Sequence, residues 1–301
     1  MVAAPVEGTR PSVLCGGCGS RLERGEWACA RCRLEAAGDD YLRMLDASTP
    51  PTGYDASLFE TLAALEPTSF WFRGRNKLIL WAIDRWFPNI RSFLEVGCGT
   101  GYVLSAVLAA RPDLEAVGVE LFPEGLRVAR RRLKGVPLAQ MDARSLGIEE
   151  AFDVIGAFDV LEHIDCDEEA LRAMLKALRP GGGLAVTVPQ HGWLWSEADA
   201  FAGHARRYTR GELTQRMLDA GFELLWTSSF LTFLLPLIST SRLITRRRQY
   251  SLEREFGLPR AIDRLFERSL DLERAAMTRG VSFSVGGSLL VVARRPHIAA
   301  R

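Results

Sequence analysis

Phe93-Leu-Glu-Val-Gly-Cys-Gly-Thr-Gly101 is the stretch whose reading decides the fold. Phe93, Leu94 and Val96 have the apolar density of a buried β-strand, and three glycines turn the chain out of it. Glycine reaches positive φ without steric cost and lets a ligand lie against the backbone. The apolar run Tyr102–Ala110 then suits a helix, whose first turn presents free N–H groups and a positive dipole end. A loop of this kind, at the carboxyl end of a strand, is where open α/β sheets bind nucleotides. The spacing is Glu-x-Gly-x-Gly-x-Gly, so an acid, Glu95, precedes the first glycine. An acid there repels a pyrophosphate and suits the ammonium of an amino acid.

Working outward, the strands and helices alternate. Ala116–Glu120, Val136–Asp142, Phe152–Asp159 and Leu184–Pro189 read as further strands, and the nearly continuous apolar run of 152–158 is that of a strand buried on both faces. Helices are expected over Ser69–Trp86, Pro123–Leu133 and Glu168–Leu178, with a capping box Thr209-Arg-Gly-Glu212 opening another. Gly221–Trp226 reads as a sixth strand and Ser288–Arg294 as a last one. Each of the first two strands after the glycine loop ends in an acid. Glu120 lies about 20 residues beyond that loop, placed to accept hydrogen bonds from ribose hydroxyls.

Glu95-Val-Gly-Cys-Gly-Thr-Gly101 resembles the first signature of class I S-adenosylmethionine (SAM) methyltransferases. The resemblance covers about residues 70–230 and the final strand. It implies a doubly wound α/β fold with a seven-stranded, mostly parallel sheet, whose sixth and seventh strands form the one antiparallel pair. It also implies SAM as cofactor, bound by Glu95, Gly97, Gly99, Gly101 and Glu120. Asp142 and the Ala143 N–H would meet the adenine, and Arg75, on an amino-terminal covering helix, the methionyl carboxylate. Asp159 completes the cofactor-binding set and begins the segment Asp159-Val-Leu-Glu-His-Ile164, where the methyl group and the acceptor meet in that family. Similar segments bind a divalent metal in ubiquinone-type O-methyltransferases, with a glutamate where Asp159 stands here. The commoner role there is structural, with the histidine packed under the cofactor.

His163 is a candidate base, as are His191 and His204 in the segment after the fifth strand, and His204 is preferred. Trp193, Trp195, Asp199 and the run Arg206-Arg-Tyr208 share that segment, which reads as an acceptor-pocket wall on the ligand-binding edge.

Cys15-Gly-Gly-Cys18 and Cys29-Ala-Arg-Cys32 are two Cys-x-x-Cys knuckles with ten residues between them. That spacing suits a closed four-thiolate zinc ribbon, with a structural metal. The expected organisation is a ribbon over 1–36, a linker with helices over 37–69 (one of them at Tyr41–Leu45), and a methyltransferase domain over 70–301. Within that domain, residues 230–285 read as an insert. It is an acceptor lid, a homodimer interface or a peripheral membrane contact, in that order.

A net charge of +1 gives no global basic field, so nucleic acid is a disfavoured partner. No basic-then-apolar leader opens the chain, and the apolar run Phe230–Ile238 is far short of the roughly 20 residues that span a bilayer. A cytoplasmic enzyme with a partly apolar small-molecule acceptor is expected. The alternative is an RNA or protein methyltransferase that docks its substrate through the ribbon.

Overall fold

The computed structural model describes residues 36–37, 41–43, 58–245 and 250–297. The four cysteines of the expected ribbon and the basic run 246–248 lie outside them. The strands of the described residues are β1 (Ala36–Ala37), β2 (Tyr41–Arg43), β3 (Ser92–Val96), β4 (Glu115–Glu120), β5 (Leu138–Gln140), β6 (Phe152–Phe158), β7 (Leu178–Pro189), β8 (Glu223–Phe230) and β9 (Ser288–Arg294). The helices are α1 (Leu58–Leu65), α2 (Phe70–Trp86), α3 (Tyr102–Ala110), α4 (Pro123–Arg132), α5 (Asp167–Ala177), α6 (Glu197–Phe201), α7 (Arg210–Asp219), α8 (Leu235–Thr245), α9 (Leu252–Phe256) and α10 (Arg260–Thr278).

These strands form one sheet in the order β1-β2-β5-β4-β3-β6-β7-β9-β8. From β5 to β7 the neighbours run parallel. The chain leaves β3 for β4 and β5 on one side, then returns to β6 on the other. The order therefore reverses between β3 and β6, and the crevice outside their carboxyl ends is the binding position of a doubly wound sheet.

Alternation along β3 sends Leu94 and Val96 to one face, with α5 and α7, and Phe93 to the other, with α2, α3 and α4. Period-two geometry puts Glu95 on the Phe93 side, under α3. Both faces are buried, as the continuous apolar strands require.

Three expectations need correction. Tyr41–Arg43 is a strand, not a helix; it pairs parallel with β5 through Leu42–Ala139 and Arg43–Gln140. β9 lies between β7 and β8 and runs antiparallel to both, so β8–β9 is not the one antiparallel pair. The strand expected over Leu184–Pro189 begins earlier: β7 takes in Arg179–Gly183 as well, and its pairing with β6 shifts register between Phe152 and Val154. The Thr209–Glu212 capping box forms in both directions.

The segment between β8 and β9 folds back over α2. Asp263 of α10 accepts from the Phe70 N–H at the start of α2 (2.5 Å) and from the Arg73 guanidinium (2.5 Å). Glu267 binds Arg73 (2.6 Å) and Lys77 (2.8 Å). The helices meet closely because Gly74 has no side chain: a Cβ there would lie 2.4 Å from Leu270 Cδ1. Phe256 of α9 packs on Phe72 and Trp71. No helix among the described residues is long and apolar enough to cross a membrane.

Candidate active site

The glycine loop follows β3. Gly97, Gly99 and Gly101 have φ of +69°, +51° and +75°, the left-handed region that glycine takes without cost. Gly97 also faces the turn after β6, and a Cβ on it would stand 2.4 Å from Val160 Cγ2. Cys98 is buried under the loop, its N–H donating to the Val119 carbonyl (2.9 Å), and its role is that of a small filler.

Glu95 is fully buried beneath α3. One carboxylate oxygen takes the Leu104 N–H, and Oε2 has no partner among the described residues. Burial pushes its pKa up to about 8, against the pull of the Arg75 charge. Glu120, at the end of β4, accepts from the Gly99 N–H (2.9 Å) through Oε2 and from the Leu121 and Phe122 N–H groups (2.7 and 3.0 Å) through Oε1. Burial raises its pKa, opposed by those three donors. One carboxylate thus ties the glycine loop to the end of the neighbouring strand.

Asp142 stands past the end of β5, beside the half-buried Ala143. Its carboxylate takes the Arg144 N–H (2.9 Å) and the Arg144 guanidinium (2.6 Å). Burial raises the Asp142 pKa, but Arg144 outweighs it and holds the group below its ordinary value.

Arg75 reaches from α2 to the carboxyl end of β6, where it pairs with Asp159. Its guanidinium lies 4.3 Å from the centre of the Trp71 ring. Asp159 itself has φ +57°, a strained value for a non-glycine residue at the site's edge.

Glu66, which the sequence reading passed over, and Glu162, which it quoted only as part of the Asp159–Ile164 segment, complete this wall. Glu66, after α1, hydrogen-bonds the Thr100 hydroxyl and pairs with Arg132 (2.8 Å), pinning the glycine loop from above. Glu162, in the 3₁₀ turn Leu161–His163, is wholly buried, with no partner on either carboxylate oxygen among the described residues. Burial, together with the Asp159 charge, pushes its pKa far up. A lone acid such as Glu66, just past a helix, carries no sequence signal; only burial distinguishes it from a surface carboxylate.

The three candidate histidines separate. His163 and His204 meet edge to face, with ring centres 4.7 Å apart. His191, at φ +62°, stacks on the exposed Trp193 at 5.4 Å instead. His204 Nδ1 is 2.9 Å from Asp199 Oδ1, which also accepts from Arg207 (2.7 Å). Burial, with His204 alongside, lowers the His163 pKa to about 4.

Most of the expected acceptor wall faces inward. Tyr208 is buried, donating to Asp167 (2.6 Å) and to the Leu161 carbonyl (3.1 Å). Asp167 gathers Arg206 (3.2 Å) and Arg216 (2.6 Å) as well. These groups brace the 190–209 segment against the turn after β6 and the start of α5, and Asp199 with Arg207 ties the segment to itself. Only Trp193 and Trp195 of that cluster stay exposed.

Residues 94–184 match the family model described as a methyltransferase domain. The matched span holds the glycine loop, Glu120, Asp142 and the Asp159–His163 segment; His191, His204 and the insert lie beyond it. Residues of this chain are 35% identical, over 98 residues, to trans-aconitate 2-methyltransferase of Methylobacterium nodulans, covering 33% of this chain and 38% of that protein. Over 167 residues they are 29% identical to a probable SAM-dependent methyltransferase of Mycobacterium tuberculosis, covering 54% of this chain and 59% of the relative. The chain thus spans between about two fifths and three fifths of these relatives' lengths. Phosphoethanolamine N-methyltransferase 2 of Haemonchus contortus, solved with SAM, superposes with a TM-score of 0.56 at 17% identity, over 82% of this chain and 58% of that one. At that identity the likeness is one of fold, and it places the chain among Rossmann-like α/β proteins.

Proposed function

We propose that the protein transfers the methyl group of SAM to a small-molecule acceptor. The observation that carries this reading is the buried Glu95 carboxylate with one oxygen unpartnered, set under a loop of three positive-φ glycines. A buried carboxyl without a partner is costly, and a cation relieves it. The methionyl ammonium of SAM is such a cation. On this reading Glu120 adds the ribose hydroxyls to its acceptor set, and Asp142 and Ala143 stand beside the adenine. Arg75 divides its donors between Asp159 and the methionyl carboxylate.

Displacement at the sulfonium methyl needs little covalent help from the protein. The nucleophile forms its bond to the methyl carbon as the sulfur–methyl bond breaks, leaving S-adenosylhomocysteine. The chain's contribution is alignment. The acceptor side is the pole of Asp159, His163 and His204, with the α8–α10 insert as its cover. The matched trans-aconitate methyltransferases carry the name of a small polyanionic acceptor, which favours a small molecule here. Cys15, Cys18, Cys29 and Cys32 we assign to a structural zinc ion, on their spacing.

Isotopically labelled SAM incubated with a fractionated cell extract tests the reading. Label in the small-molecule fraction supports it. Label in RNA or protein overturns the acceptor class, and no calorimetric SAM binding overturns the reading itself.

A further inference from the structure

Among the described residues, eleven large apolar side chains are exposed, and seven of them lie between β8 and β9. Apolar residues scattered singly over a surface are ordinary, whereas a concentration in one segment marks a face that meets a partner. On α10, Ile262, Leu265 and Leu272 share one outward stripe with the small Ser269 and Ala276, at alternating three- and four-residue steps. Leu265 and Leu272 are 62% and 64% exposed. The apolar surface continues beyond the helix. Glu273 of α10 accepts the Phe233 N–H (2.7 Å), and the Thr232 hydroxyl donates to the Val285 carbonyl (2.7 Å). These bonds hold Phe233 and Val285, both exposed, beside α10.

Charge is sorted across the same helix. All four acids of α10 are taken up within the protein. Asp263 and Glu267 bind Arg73, Glu267 and Asp271 bind Lys77, and Glu273 holds the Phe233 N–H. The outward arginines are not taken up. Arg260, Arg264 and Arg268 follow at four-residue spacing along one flank of the stripe, exposed and without a partner among the described residues. Over residues 230–285 the sequence has ten arginines and no lysine against six acids, a net charge of +4. The whole chain is at +1, so the remainder is at −3. The near-neutral total conceals a basic pole.

A second copy of this chain does not suit that face. In a two-fold interface a patch meets its own copy, which here sets positive charge against positive charge. An apolar stripe bordered by arginines is instead the form of a helix lying in the plane of an anionic bilayer. Its apolar side chains enter the acyl boundary and its guanidinium groups stay at the phosphates. Arginine, not lysine, is also the side chain that takes a phosphate in two-point contact. We infer that the outer face of the α8–α10 segment is a docking surface for an anionic lipid bilayer. The inference does not depend on the methyl-transfer reading.

Sedimentation of the full-length protein with phosphatidylglycerol vesicles, and in parallel with phosphatidylcholine vesicles, tests the surface. We expect binding to phosphatidylglycerol that weakens as salt rises, and binding to phosphatidylcholine weaker by tenfold or more, on the order of one arginine's contribution at the least. Joint replacement Arg260→Gln, Arg264→Gln and Arg268→Gln should lower the affinity for phosphatidylglycerol by roughly a hundredfold. Leu265→Ser with Leu272→Ser should lower it as well, at either salt. Both variants change exposed side chains, and circular dichroism should report an unaltered fold. Wild-type protein that stays in the supernatant with phosphatidylglycerol overturns the inference. Equal binding to the two lipids, or unchanged binding of both folded variants, does so too. A wild-type dimer in gel filtration that Leu265→Ser with Leu272→Ser dissociates would give the face to a second copy, and likewise overturns it.

Discussion

Arg75 on α2 and Asp159 at the end of β6 form an ion pair across the mouth of the cofactor crevice. The guanidinium is the cation whose field reaches Glu66, Glu95 and Glu162 at once, and it rests on the Trp71 ring. Its planar fork can hold a carboxylate in two-point contact, which an ammonium cannot. Arg75→Lys should therefore weaken SAM binding by roughly 1–3 kcal/mol with the charge retained. Titration calorimetry measures it, and unchanged affinity would remove Arg75 from the cofactor site.

Glu95 couples the site to pH. In the ligand-free fold burial raises its pKa to about 8, whereas an unfolded glutamate titrates at about 4.3. The raised group favours the fold fully below the unfolded value, and that contribution is lost as pH rises through about 8. Glu95→Gln should flatten the fall in melting temperature of the ligand-free protein between about pH 5 and about pH 8. Binding of the SAM ammonium should expel the proton in that same window. Calorimetric enthalpies of the wild type would then vary with the ionisation heat of the buffer, and those of Glu95→Gln would not.

Glu120→Ala should lower SAM affinity by roughly 1–3 kcal/mol, the cost of orphaned hydroxyl hydrogen bonds. It also releases the Gly99 N–H, so the glycine loop should exchange its amide protons faster in the free protein. Affinity equal to wild type would sink the ribose assignment.

Gly97→Ala meets two obstacles, a φ of +69° and Val160 Cγ2 at 2.4 Å. We expect loss of measurable SAM binding. Val160→Ala in the same chain removes the collision and leaves the backbone strain of about 1–3 kcal/mol, so partial recovery of binding is the expected result. No recovery would mean that the contact with Val160 is not what limits the loop.

Asp263→Ala takes away the acceptor for the Phe70 N–H and one partner of Arg73. The contact is largely buried, and roughly 1–3 kcal/mol of stability should be lost. Limited proteolysis should then cut first between α8 and α10. An unaltered cleavage pattern would show that Leu270 against Gly74, not Asp263, fixes the insert.

The central sheet was legible because parallel strands buried on both faces write themselves as apolar runs. Leu94, Val117, Ile155 and Val186 are all core. Tyr41–Arg43 escaped, since three residues become a strand only when the edge of β5 is there to receive them. The positive-φ glycine loop after β3, and Glu120 at the end of the neighbouring strand, could be placed from spacing. The segment after β7 misled. Tyr208, Arg206 and Arg207 are polar residues of the kind that line pockets, and buried Asp167 and Asp199 draw them inward. Polarity shows that such side chains need partners; it does not show on which side of the backbone those partners stand.

β9 pairs with β8 along its whole length, from Glu223 against Arg294 to Phe230 against Ser288. The two ends of the α8–α10 segment consequently emerge side by side from a finished hairpin. A connection of any length or shape fits between them without shifting one pair of the ladder. The cover over α2 is in this sense a cartridge, exchangeable against a fixed sheet while the glycine loop at β3 stays as it is.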